Sequence, residues 1–161
     1  MSTSLLYHAW GLRGYRLEAT DFIQGATVFR VRAKDETLRC GHCGGRAVTR
    51  AGVVRRLFRT LPIGTRRVWL TVPVQRLWCA ACGKTRQVKL AFADERRSYT
   101  HGFERYALEL GRHMTIQDVA DHLAVSWDVI KDIQKRSLLR PHLSRRPPPA
   151  RPLGQTSANA Y

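Results

Sequence analysis

The chain has 161 residues, enough for one ordinary domain or two small ones. Lysine and arginine total 28 against 12 acids, a formal charge of +16, which favours a polyanionic partner and says nothing of fold. At 43% apolar residues the chain can bury a modest core, and its apolar runs are far too short for a spanning helix, which excludes an integral membrane protein.

The N-terminus, MSTSLLYHAWGLRGYR, lacks the basic, apolar and small-residue succession of a secretory signal. Four cysteines without an export signal point to metal or redox chemistry in a cytoplasmic protein, not to a disulfide framework. Residues 1–36 read as a β-rich lead-in. Tyr15–Asp21 and Ala26–Ala33 alternate as strands, with Gln24-Gly25 as the turn between them.

Residues 37–93 form a distinct module. They hold no Asp or Glu but carry twelve basic residues and all four cysteines. Cys40-Gly41-His42-Cys43-Gly44 and Cys79-Ala80-Ala81-Cys82-Gly83 are two copies of C-x-x-C-G. This spacing lets two thiolates of one tight turn reach a single ion at about 2.3 Å. The glycine after each second cysteine suits the positive φ such a turn needs. Between the pairs lie Val54–Leu61, a turn at Pro62-Ile63-Gly64-Thr65, and Arg66–Trp78. In the second run Val68, Leu70, Val72 and Val74 alternate with polar residues and Trp69, as one buried strand face requires. A hairpin capped by two knuckles is a zinc ribbon. Cys40, Cys43, Cys79 and Cys82 are its expected ligands, and four thiolates close the Zn²⁺ site to catalysis. His42 then reads as an exposed loop residue. Chelation is expected to melt residues 37–93. A solvated face interleaves both signs; an acid-free one suits phosphates. Arg55, Arg56, Arg59, Arg66 and Arg67 are therefore candidate backbone contacts.

Residues 94–137 read as helical. Phe103, Tyr106, Ala107 and Leu110 form one stripe within Ser98–His113. Thr115 and Asp118 mark a capping box for a short helix that buries Val119, Ala120 and Leu123. Ala124-Val125 makes a turn, where glycine is usual. Ser126 caps a second helix, Trp127–Arg136, which buries Ile130 and Ile133. Ile116–Lys135 thus fits a helix-turn-helix whose second helix enters the major groove. Ser126, Trp127, Lys131, Lys135 and Arg136 are its candidate DNA contacts. Asp128 and Asp132 are tolerable where they accept from cytosine, pair with a neighbouring lysine or face away. Trp127 either meets a thymine methyl or sugar, or packs on the preceding helix. Residues 138–161 are expected to be a disordered Pro/Arg-rich tail.

The expected class is therefore α+β: a small β-rich zinc ribbon, an all-α helix-turn-helix module and a disordered tail. The combination of LRCGHCGGRAVTR, RRLFRTLPIGTRRVWLTVPVQRLWCAACGK and YTHGFERYALELGRHMTIQDVADHLAVSWDVIKDIQKRSL resembles the N-terminal part of the ISL-three family of insertion-sequence transposases. The resemblance spans about residues 15–137. It implies binding of double-stranded DNA at the terminal inverted repeats, near the bacterial nucleoid. It also implies a following acidic-triad domain that cuts and joins DNA. No acid follows Asp132, so the chain is expected to be a truncated transposase, a zinc-dependent DNA-binding fragment and not an enzyme. Two-metal phosphoryl transfer needs such carboxylates. A small DNA-binding regulator and an RNA-binding zinc ribbon are the alternatives. A homodimer stays open, since no heptad assigns a dimer surface.

Overall fold

The computed structural model describes residues 5–139. Residues 140–161 lie outside the described residues, and with them almost all of the expected tail. Among the described residues a short helix leads into a five-stranded sheet, and three longer helices follow.

Strands β1 (Tyr15–Ile23) and β2 (Ala26–Ala33) form the expected hairpin. Gln24 and Gly25 both take positive φ, 47° and 74°. Two successive left-handed residues twist a two-residue turn to match the strands it joins. Strands β3 (Val48–Ile63) and β4 (Arg66–Cys79) form the long hairpin, turning at Gly64 with φ 59°. A short β5 (Lys84–Gln87) folds back on β4.

The boundary expected at residue 36 is not a structural one. Strand β2 lies parallel to β4, pairing Thr27–Arg30 with Val68–Thr71, so the order is β1-β2-β4-β3 with β5 also on β4. The reason is the shared apolar face. Phe29 and Val31 of β2 are buried with Phe58 of β3 and with Val68, Leu70, Val72 and Val74 of β4. Neither hairpin buries this face alone. Helix α1 (Leu5–Trp10), unforeseen in the lead-in, helps to cover it with Leu6 and Trp10. Trp10 packs against Phe29 at 4.9 Å between ring centroids. Leu12, Phe92 and Ala93 complete the cluster.

Helices α2 (His101–Leu110), α3 (Ile116–Leu123) and α4 (Trp127–Leu139) build a second core. Phe103, Ala107, Val119, Ala120, Leu123, Ile130 and Ile133 fill it, as their helical spacing requires. The Thr115–Asp118 capping box forms in both directions. Helix α2 starts at His101, not Ser98. Its N-cap Thr100 accepts from the Phe103 amide. Residues 98–100 stay extended because the edge of β3 claims them. The Arg59 amide donates to the Ser98 carbonyl at 2.7 Å, and the Thr100 amide donates to the Arg59 carbonyl at 2.9 Å. Helix α4 runs three residues beyond the expected Arg136, into the first two tail positions.

Candidate metal centre and nucleic-acid interface

The two knuckles close in the same way. The Gly44 amide donates to the Cys40 carbonyl at 3.0 Å, and the Gly83 amide to the Cys79 carbonyl at 2.9 Å. Both glycines have positive φ, 72° and 61°, which costs a glycine little and other residues more. Pairing of Val48 with Cys79 carries the second knuckle to the first. The four Sγ atoms lie within 4.8 Å of one another. Cys40 and Cys82 are 3.8 Å apart, Cys43 and Cys79 3.5 Å. A tetrahedral ion with about 2.3 Å Zn–S bonds sets its sulfurs about 3.8 Å apart, so the cluster fits zinc. Without an ion the thiols differ: the backbone amides of Cys43 and His42 hold the Cys40 thiol down, to about 6, whereas burial pushes the Cys82 thiol up to about 11, so the fit to zinc rests on the sulfur geometry. His42 is exposed.

The five arginines proposed from the hairpin separate into two groups. Arg55, Arg66 and Arg67 are exposed. Arg56 is half-buried and donates to the carbonyls of Glu95 and Arg97, each at 2.7 Å. Arg59 is only 4% exposed. Its Nη2 donates to the Leu123 carbonyl at 2.9 Å, and burial, with Arg67 nearby, lowers its pKa from the ordinary arginine value. Arg59 is therefore withdrawn from the phosphate contacts. Period-two reasoning places Arg55 and Arg59 on one sheet face but does not tell which part of that face the helices cover.

The recognition helix divides as well. Ser126, Trp127, Asp128, Lys131 and Lys135 face solvent. Lys131 Nζ stands 4.5 Å above the Trp127 ring, and the ring is 41% exposed. Asp132 points back. It pairs with Arg97 at 2.8 Å and accepts from the Tyr99 hydroxyl at 3.3 Å. Of the three roles open to it, facing away is the one it takes, with Arg97 as its partner. Arg136 is corrected too. Its guanidinium meets Asp94, lies 3.4 Å from Glu104 and donates to Tyr99 at 3.1 Å. With a side chain only 13% exposed, it is a fastener and not a DNA contact.

Asp94, Arg97, Tyr99 and Glu104 were not singled out by the sequence reading. The available signal was the return of mixed charge at Asp94-Glu95-Arg96-Arg97, where the acid-free run ends. Glu104 is 1% exposed, and the Arg136 guanidinium 3.4 Å away gives its charge a partner.

Among the described residues no helix is long and apolar enough to cross a membrane. Residues 36–82 match a family model described as the zinc-finger of transposase IS204/IS1001/IS1096/IS1165. Residues 88–138 match the helix-turn-helix domain of transposase family ISL3. The transposase for insertion sequence element IS1001 of Bordetella parapertussis is 28% identical over 141 residues. That alignment covers 86% of this chain and 35% of the relative, so the chain spans about a third of the relative's length. No solved structure matches the chain. The four-thiolate cluster, the capped helix pair and both family models agree along one stretch: within residues 36–138 the chain carries a zinc ribbon and a helix-turn-helix similar to those of the ISL3 transposases.

Proposed function

We propose that this region binds duplex DNA sequence-specifically, as the part of a transposase that recognises the terminal inverted repeats of its element. Helix α4 reads base edges in the major groove, and the exposed arginines of the ribbon hold the backbone. The observation that carries this reading is the sorting of charge on α4. Asp132 and Arg136 are engaged inward, while Ser126, Trp127, Asp128, Lys131 and Lys135 remain outward. Lysines suit phosphate or guanine, and Asp128 suits a cytosine amino group. Zinc holds the knuckle end of the ribbon and takes no part in chemistry. Action in the bacterial nucleoid and pairing as a homodimer belong to the same proposal.

The test is selection of bound duplexes from a random pool, with zinc measured on the same sample. Enrichment of one sequence by protein carrying one zinc per chain is expected. A palindromic site would favour a dimer, and a site confined to promoters would favour a regulator. Protein that holds zinc yet enriches no sequence would contradict the proposal.

A further inference from the structure

We propose that Arg59 is the positioning residue that fixes the helix-turn-helix turn on the sheet, so that ribbon and recognition helix move as one rigid body. Arg59 sits in β3 next to the turn end of the long hairpin, opposite Trp69 of β4. Its guanidinium lies 5.3 Å from the Trp69 ring centroid and 5.8 Å from that of Phe103. One ring belongs to the sheet and the other to α2. A flat cation seated by both rings joins the two layers, a role that the compact ammonium of lysine fills poorly.

The third contact reaches the turn itself. Leu123 is the last residue of α3, and Ala124 after it is left-handed. The carbonyls of Ala120 and Asp121 accept from the Val125 and Ala124 amides. The Leu123 carbonyl accepts from Arg59. A cation there also opposes the negative end of the α3 dipole. The backbone of the same residue zips to Ser98 and Thr100, and the Thr100 hydroxyl donates to the Thr60 hydroxyl at 3.2 Å. One residue thus holds the entry to α2 with its backbone and the end of α3 with its side chain.

Its setting is costly for a filler residue. Nε and Nη1 are buried without a hydrogen-bond partner among the described residues, and no carboxylate pairs with it. An apolar side chain would fill the same space without that penalty. An arginine is accounted for when the carbonyl it reaches has to be held in place.

The consequence for DNA rests on the proposed duplex-binding function. The test of the strut does not. Residual dipolar couplings on zinc-loaded protein report whether residues 15–79 and 101–139 share one alignment tensor. We expect one tensor for the wild type and two for Arg59→Met, with both parts still giving dispersed spectra. Arg59→Lys keeps a donor for Leu123 and should fall between them. If Arg59→Met unfolds the helices, Trp69→Leu, which keeps the cation and removes one ring, is read in the same way. A single tensor in a folded Arg59→Met, or in Trp69→Leu where that variant is needed, overturns the proposal. On a duplex long enough for both parts, Arg59→Met should bind about tenfold more weakly. It should bind unchanged on a short duplex that covers the recognition helix alone. Failure of the wild type to bind any duplex would remove the DNA reading and leave the tensor result to decide the strut.

Discussion

At the scale of single residues the backbone is strained at one informative place. Ala124 holds φ 50° and ψ 55° in the turn between α3 and α4, a left-handed conformation that costs a residue with a Cβ about 1 kcal/mol or more. Ala124→Gly should therefore raise stability by about 0.5–1 kcal/mol, after the added freedom of the unfolded glycine is subtracted. A thermal melt showing a higher midpoint checks this; a lower one would place the strain elsewhere. Gly41 is held by space and not by φ. A Cβ there would stand 2.2 Å from the Gln87 carbonyl oxygen, so β5 would have to leave the first knuckle. Gly41→Ala should weaken zinc retention against a competing chelator, and equal retention by the two proteins would refute the close packing. Arg136→Ala should lower the melting temperature, since it strips partners from Asp94, Tyr99 and the buried Glu104. Lys131→Ala and Lys135→Ala should leave the melt unchanged and weaken DNA binding instead.

At the scale of elements the docking of α4 on residues 94–104 carries a pH dependence. Burial alone would raise the Asp94 pKa, but the His101 hydrogen bond and the Arg136 charge outweigh it and hold the carboxyl below its ordinary value. A depressed folded pKa adds stability above the unfolded value, and that stability is lost as pH falls through the folded one. Acid should therefore loosen α4, and Asp94→Asn should remove that part of the acid transition. The cost of Asp94→Asn near neutral pH is about 1 kcal/mol, kept small because the carboxylate is partly solvated. Most elements were legible in the sequence. The strands of both hairpins, the capping box and the buried stripes of three helices follow from period and capping chemistry that a chain shows locally. What was not legible is non-local. The parallel pairing of β2 with β4 depends on two faces each too small to bury alone. Six residues of α1 are too few to show a helical period. The inward turn of Asp132, Arg56 and Arg136 depends on partners at Arg97 and in residues 94–104, far away in the chain. The four cysteines were legible because their spacing is itself the chemistry.

At the scale of the molecule the charge of +16 resolves into fasteners and outward cations. Arg30 and Arg32 pair with Asp21 and Glu18, Arg50 pairs with Asp35, Arg56 and Arg59 tie residues 95–97 and the end of α3 to the sheet, and Arg97 and Arg136 hold α4 to residues 94–104. Outward cations remain on the ribbon and on α4. The shared apolar core also changes what zinc removal should do. The apolar cluster around Phe29, Phe58 and Leu70 holds residues from both hairpins and from α1. Chelation should thus fray the knuckle end of β3 and β4 with β5, and leave the end near Arg59 and the helices folded. Amide exchange read residue by residue checks this, and global loss of protection would refute it. The central claim is that the outward cations grip a nucleic-acid backbone while α4 reads the bases. It is tested most directly by the affinity of zinc-loaded protein for its selected duplex across a range of salt concentrations. About six phosphate contacts predict a log–log slope near −5, reduced by about one unit for each outward cation removed that contacts a phosphate. A slope near zero, or one unchanged when Arg55, Arg66, Arg67, Lys131 and Lys135 are all replaced by alanine, would contradict the account.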